Sequence, residues 1–408
     1  MARVRHRGLI ALLALALAAP LSACGKGAGA HSTVAGPTRK LAPVAAQGAV
    51  SLSTRNTTRL GGGNAVVDAA SVARAVYPGL TTETRPRAVV LVNGGDWPAA
   101  LAASELASAP AHAPILFSEG NSLPEVSRQS LEAMRPIGDS ALGGAQVISI
   151  DTAAPLPAGL VSRSIAAGEP AVTAAAIAHA LIAATGATPR NAIVLAANTS
   201  HALQMPAAGL AAESGSPILF VTRSRVPAAS AEVLDAMHHP SIFVIGASDV
   251  GAHTLGELRR YGHVTTITNT GAEASDPVAN AIAVARFTNG TFGWGVKEPG
   301  HGLVFANTAR PLDAAAAAPL SATGDYGPLL LLAAAGAVPP PLGAYLTDIQ
   351  PAYTTAPQFM PVRGVYNHGW LIGDETAIAT VTQAEIDSLL EISLRRQSSE
   401  EAAVTQAE

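Results

Sequence analysis

A single cysteine, Cys24, in 408 residues leaves this chain no internal disulfide framework and no multi-cysteine zinc site. Lysine is nearly absent, with Lys26, Lys40 and Lys297 the three copies, and charged residues make up 13%, about half the usual ~25%. So few charges exclude a strongly basic nucleic-acid binder and a solvated, disordered polyelectrolyte. Aromatic residues are scarce at 4%. No H-E-x-x-H, G-x-S-x-G or CxxC occurs, so the motifs of zinc proteases, serine hydrolases and dithiol redox proteins are missing. What is abundant is 49% hydrophobic residues, 38 Gly, 29 Pro and long Ala runs, the composition of a core-rich protein with many turns.

Residues 1–23 read as a secretory signal: Arg3, Arg5 and Arg7 precede an apolar stretch from Leu9 to Ala19 that ends at Pro20. About eleven apolar residues are too few for a membrane-spanning helix, which needs about 20. The segment closes with Leu21-Ser22-Ala23-Cys24, which resembles the bacterial lipobox. The resemblance implies cleavage before Cys24 and diacylglyceryl attachment to its thiol, anchoring the chain on the outer face of the cell membrane. Cleavage would leave 22 Lys+Arg against 29 Asp+Glu, a net charge of −7. Broad attraction to an anionic surface is then disfavoured, and anion binding has to come from local arginines or helix N-termini. Residues 24–51 are small and polar, a flexible tether; residues 395–408 lose apolar content and read as a disordered tail.

Between them the sequence repeats itself. Three β-branched or apolar runs, Ala88-Val89-Val90-Leu91-Val92, Ala192-Ile193-Val194-Leu195-Ala196 and Gly302-Leu303-Val304-Phe305-Ala306, are each followed by a polar turn and an Ala-rich stretch. A second run opened by proline follows each, at Pro114, Pro217 and Pro328, 103 and 111 residues apart. Ala-Asn-Thr recurs at 197–199 and 306–308. The middle copy predicts helices over 171–185, 202–213 and 227–237, strands over 217–221 and 242–246, and a last helix capped by Ser248 or Asp249. Short continuous apolar strands alternating with helices mean parallel sheets covered on both faces. The expected fold is α/β, three tandem Rossmann-like sandwiches in a pseudo-threefold arrangement, with repeats over 52–160, 161–269 and 270–394.

The order of an apolar strand, a polar turn, Pro98-Ala99-Ala100-Leu101-Ala102-Ala103, then Ala113-Pro114-Ile115-Leu116, resembles the type 2 cell-wall-binding repeat of Gram-positive surface proteins. Thr58-Arg59-Leu60-Gly61-Gly62-Gly63-Asn64 is similar to that family's opening segment, and the likeness runs from about Thr54 to Ile392. Departures are visible: Ala99 stands where an Asp usually follows the proline, Gln204 lies near that place in the second copy, and Asp313 falls one position late in the third. Copy one's third strand, 146–150, lacks the terminal Gly, and copy three carries an insertion around Pro339-Pro340-Pro341 and 351–361, expected to be irregular.

The resemblance implies a non-enzymatic binder of an anionic cell-wall glycopolymer, teichoic-acid-like or another anionic glycan, through grooves between repeats lined by basic side chains. Arg59, Arg163 at the corresponding place before copy two, and Arg310 are the candidate polymer contacts, since guanidinium forks suit phosphate and carboxylate. No catalytic, cofactor or metal-binding residue is expected, and no nucleic acid partner. The alternative is a lipid-tethered small-ligand receptor, against which three near-equal copies weigh, because such receptors are built from two lobes.

Other features read as structural. Gly61-Gly62-Gly63, with no convincing strand before it, suits a tight turn better than a phosphate cradle. Gly138-Asp139-Ser140 lies in a polar loop, His238-His239 at a helix end, and Trp370 in a buried strand; Trp97 and Trp294 stay open as sugar-stacking candidates.

Overall fold

The computed structural model describes residues 50–394, apart from 167, 198–199, 270, 323–325 and 354–365. The expected signal segment, Cys24, most of the tether and the tail lie outside the described residues. Val50 and Ser51, expected at the tether's end, begin a strand.

The chain opens with β1 (Val50–Ser53), β2 (Thr57–Gly61) and α1 (Ala65–Val76). It continues through β3 (Val89–Asn93), α2 (Trp97–Ala103), β4 (Ile115–Ser118), α3 (Glu125–Met134), β5 (Val147–Ile150) and β6 (Ser162–Ile165). The middle third comprises α4 (Pro170–Thr185), β7 (Asn191–Ala196), α5 (His201–Gln204), α6 (Pro206–Ser214), β8 (Ile218–Val221), α7 (Ala228–Ala236), β9 (Ser241–Ile245), α8 (Ala252–Leu258) and β10 (His263–Ile267). The last third holds α9 (Pro277–Arg286), β11 (Gly302–Asn307), α10 (Leu312–Ser321), β12 (Tyr326–Leu332), α11 (Pro340–Asp348), β13 (Ala352–Tyr353), β14 (His368–Ile372), α12 (Thr380–Leu390) and β15 (Ser393–Leu394).

Among the described residues these strands build three main sheets, ordered β4-β3-β5-β6, β8-β7-β9-β10 and β12-β11-β14-β2-β1, beside a small β13-β15 pair. All pairings in the three sheets are parallel except β1 with β2. Val89 to Val92, Ile193 to Leu195 and Leu303 to Phe305 are buried, as central parallel strands covered on both faces require. The α/β architecture with three parallel-strand sheets expected from the repeats is therefore present.

Each sheet takes its outer parallel strand from the stretch that leads toward the next helix and sheet. The strand β6 pairs with β5, β10 pairs with β9, and β2, from the very start of the described chain, pairs with β14 near its end. The N-terminal strand thus completes the third sheet while α1, which follows it, packs on α3 and β4 beside the first sheet. In this way the third sheet and the first are stitched together as the others are by β6 with α4 and by β10 with α9.

The helices α2, α6 and α10 meet where the three sheets face one another. Their Ala runs, 99–103, 207–212 with Gly209, and 314–318, are buried on nearly every side, so alanine here is the residue of close approach. A Cβ on Gly209 would lie 2.6 Å from Ser321 Oγ, so α6 and α10 approach closely at this point.

Three sequence expectations change. The helix expected over 202–213 is split into α5 and α6 at Pro206, whose ring cannot continue the hydrogen-bond ladder. Pro339-Pro340-Pro341 opens α11, with Pro339 at its cap and two prolines in the first turn, where no N–H is needed. And β2 does lead into Gly61-Gly62-Gly63; its pairing partner is 312 residues away, beyond the reach of a local pattern. Of the expected excursion over 351–361, Ala352–Tyr353 forms β13 and 354–361 lies outside the described residues.

Candidate functional site

Parallel strands bring their carboxyl ends to one side, and ligands of open α/β sheets meet the loops there, where connections leave adjacent strands in opposite directions. In the third sheet that place is between β11 and β14. Three turns gather at it: the glycines after β2, residues 307–311 after β11 and residues 373–378 after β14. Gly373 N–H donates to Leu60 O at 2.8 Å, Asp374 N–H to Gly62 O at 3.0 Å, and Asn307 Nδ2 to Ala377 O at 2.8 Å.

Arg310 lies at the centre of these turns. Its Nη2 meets the Asp68 carboxylate, its Nη1 donates to Gly62 O at 3.2 Å, its Nε is 3.0 Å from Asp313 Oδ2, and Asp374 Oδ1 is 3.8 Å from Nη1. Asp68 in α1 and Asp313 in α10 are fully buried, whereas 17% of the Arg310 side chain remains exposed. Burial pushes Asp68 up to about 6, against the pull of Arg310 and of the Gly62 N–H, which donates to Asp68 Oδ1 at 2.5 Å. Burial, and then the neighbouring charge of Asp68, holds Asp313 well above the usual carboxylate range. Two buried carboxyls with one guanidinium between them hold a proton at neutral pH, because charging both without a second cation is costly. Asp374 behaves oppositely: its partial burial is outweighed by hydrogen bonds from the Thr376 side chain and backbone, and it stays easily ionised.

Strand register makes the three sheets comparable position by position. Asn93, Ala196 and Asn307 end the central strands at the same level, and Asp151, Gly246 and Gly373 follow the next strands at the same level. All three of the latter have positive φ, +52° at Asp151, +64° at Gly246 and +96° at Gly373. At the first sheet an aspartate thus takes a left-handed conformation that its counterparts give to glycine, and Asp151 Oδ2 accepts from Asn93 Nδ2 at 2.9 Å. Three residues beyond Asn93 is Asp96; three beyond Asn307 is Arg310. The loops of the first sheet are therefore acidic, with Asp96 raised by burial and then by Asp151, while those of the third carry the guanidinium. Six residues beyond each asparagine are Ala99 and Asp313, which places Asp313 at the level of Ala99 despite its offset from the proline.

The three arginines singled out from sequence have different surroundings. Arg59 and Arg310 converge on the turn at Gly373, where a Cβ would lie 2.9 Å from Arg310 Nη1. Arg59 itself is 2% exposed: Nε and Nη2 donate to Gln383 Oε1 at 3.0 and 2.8 Å, Nη1 to Gly373 O at 3.0 Å and Nη2 to Ile378 O at 2.7 Å. Burial lowers its pKa, and its side chain ties β2 to α12 and the turn before it. Arg163 is exposed on β6, apart from the other two. Its supposed correspondence to Arg59 is corrected by register, because Ile165 pairs with Ile150 as Leu60 pairs with Ile372, which makes Ser164 the counterpart of Arg59. A shift of one residue turns a side chain to the opposite face of the strand.

Sequence reading missed Asp68, Asp374 and Gln383. A helix-start signal exists for Asp68, four residues after its cap Asn64; Thr173 and Asn280 stand four after Glu169 and Asp276, and all three are buried at the seams between sheets. Gly62 N–H points inward to Asp68, so the three glycines form a turn and not a phosphate cradle. Asp139 caps a short turn through Ala141 N. Trp97 is buried, with Nε1 donating to Gln204 Oε1 at 3.0 Å across the first seam. Trp370 and Trp294 are partly buried against the core.

Two open, polar depressions, of about 460 and 430 Å³, are lined by Arg55, Gln350, Asp387 and Glu391, and by Ser149, Ser162, Ser164 and Thr152. Among the described residues no group of three or more His, Cys, Asp or Glu is placed to hold a metal ion, and no helix is long and apolar enough to cross a membrane.

Residues 59–153 match the model of the family described as cell wall binding domain 2 (CWB2), the family the sequence resembles. Among solved structures the chain is similar to Cwp6 from Clostridium difficile, at 18% identity and a TM-score of 0.63 over 84% of this chain and 51% of that one. It is also similar to Cwp8 from Clostridium difficile, at 17% identity and a TM-score of 0.60 over 82% and 51%. The chain thus spans about half the length of these proteins, and the likeness concerns the fold. No curated protein matches the chain.

Proposed function

We propose that this protein binds an anionic glycopolymer of the cell wall without catalysing a reaction, while an acylated Cys24 holds it on the outer face of the cell membrane. The match of residues 59–153 to cell wall binding domain 2 carries the reading. Two further features support it: exposed residues in a strand-end loop of each sheet, at 119–121, 223–225 and 375–376, and a partly exposed guanidinium, Arg310, beside the last of these. Arg163, exposed on β6, is a second proposed contact, whereas Arg59 supports the reading as a fastener of the fold. The acidic loops at Asp96 and Asp151 suit sugar hydroxyls better than phosphates, so the polymer would be read unequally by the seams. The small-ligand alternative is a two-lobed receptor, against which the three similar parallel-strand sheets weigh.

Sedimentation of purified protein lacking residues 1–23 with intact cell wall, and with wall stripped of its anionic polymer, tests the reading. Retention on intact wall and loss on stripped wall is the expected result; equal retention on both would overturn the polymer assignment.

A further inference from the structure

Among the described residues, the seam between the third sheet and the first has an arrangement not repeated at the other two. One guanidinium, open to solvent along one side, is backed by two buried carboxyls on different helices, Asp68 of α1 and Asp313 of α10. The neighbouring elements complete the set of charged groups. Asp374 approaches from the turn before α12, Arg59 lies behind on β2 and responds to Glu375 and Asp374, and Gly62 N–H faces Asp68 from the β2–α1 turn. Asp313 receives no aligned hydrogen bond at either oxygen, although Arg310 Nε is 3.0 Å away. A buried carboxyl so placed is at ease only as the neutral acid, beside an Asp68 that can carry the charge.

Arg310 therefore has two states. With Asp68 ionised, its charge is matched from behind by Asp68 and at the side by Asp374, and the four groups Arg310, Asp68, Asp313 and Asp374 sum to −1. With a second proton on the pair they sum to 0, and Asp374 is left as the ionised acceptor beside the guanidinium. We propose that the protons held by Asp68 and Asp313 gate Arg310, so that this seam accepts a phosphate or carboxylate of a wall polymer in its protonated form and repels it otherwise. This rests on the wall-polymer reading above and adds its regulation. The sign follows from the raised acid: the folded protein gains the proton as pH falls through about 6, and polymer affinity rises in the same window. At the opposite extreme, the first sheet has Asp96 where Arg310 stands, so the gate is not repeated there.

The test is retention on intact wall at about pH 5 and about pH 7.5 at fixed ionic strength, since removal of one local charge is worth about three- to tenfold in anion affinity. The wild type is expected to bind three- to tenfold more tightly at the lower pH. Asp68→Asn, which fixes a neutral side chain, is expected to bind at the acid level at both pH values. Arg310→Gln should lose the gain. If Asp68→Asn does not fold by circular dichroism, Asp68→Ser replaces it, and is expected to flatten the profile as well. Wild-type retention that is the same at both pH values, or a step that survives in the folded Asp68 variant, overturns the gate and leaves polymer binding standing. Failure to bind intact wall at either pH overturns both.

Discussion

The side chain of Arg59 illustrates how much a single position can hide. In the sequence it is an arginine in a segment similar to the family's opening, and arginine before a glycine turn reads as an anion contact. In the structure its three nitrogens donate inward to Gln383, Gly373 and Ile378, more than 310 residues away in sequence. Removing a buried donor leaves acceptors without water or partner, at about 1–3 kcal/mol each. Arg59→Ala is therefore expected to destabilise the fold by about 3 kcal/mol or more in denaturant titration, and Arg59→Lys to recover only part, because one ammonium cannot span the same acceptors. A change below about 0.5 kcal/mol would contradict the fastening role. Arg310 was legible as a candidate because guanidinium chemistry is written in the residue itself. Its partners Asp68, Asp313 and Asp374 come from three separate segments, and their burial and proton sharing exist only once α1, α10 and the turn before α12 have met. Asp151 was visible as a missing glycine, but its left-handed φ and its bond to Asn93 were not.

Elements were legible to the degree that their burial is complete. The strands β3, β7 and β11 are continuous apolar runs, because a central parallel strand meets a helix on each face, and their positions follow from sequence; β8, although at a sheet edge, is legible because all four of its residues are buried and apolar. Strands β2, β6 and β10 escaped because they lie at or next to a sheet edge and mix in polar residues; Ser162-Arg163-Ser164 carries no apolar side chain at all. The helix α2 lies within the quoted Ala-rich stretch, but neither it nor α6 and α10 betrays its role through amphipathic spacing, since each is buried almost all round. Gly209 in α6 is the clearest test of that packing. Its missing side chain admits Ser321, whose hydroxyl donates to Gly327 O at 3.1 Å. Gly209→Val adds branched bulk at a fixed helix crossing and is expected to cost about 2 kcal/mol or more, measured by the shift in denaturation midpoint. An unchanged or higher midpoint would mean that α6 and α10 do not approach this closely.

At the scale of the molecule, three similar sheets become one object because each is finished by a strand borrowed from the lead of the next, and the last is finished by the first. The repeat pattern announced three copies; it did not announce this exchange, because pairing β2 with β14 closes a loop of more than 300 residues that no local period encodes. The exchange also brings α1 against α10 and so creates the Arg310 site. A terminal strand with no such duty would fray, since chain ends are ordinarily the least protected parts of a fold. Native-state hydrogen exchange on the amides of Thr57 to Gly61 is the most direct check. If β2 is the structural completion of the third sheet, its hydrogen-bonded amides open together with those of β14 and β11, in the slowest class. If they exchange far ahead of β14 while β14 stays protected, the ends of the chain are not joined and the seam that holds Arg310 is not formed as described.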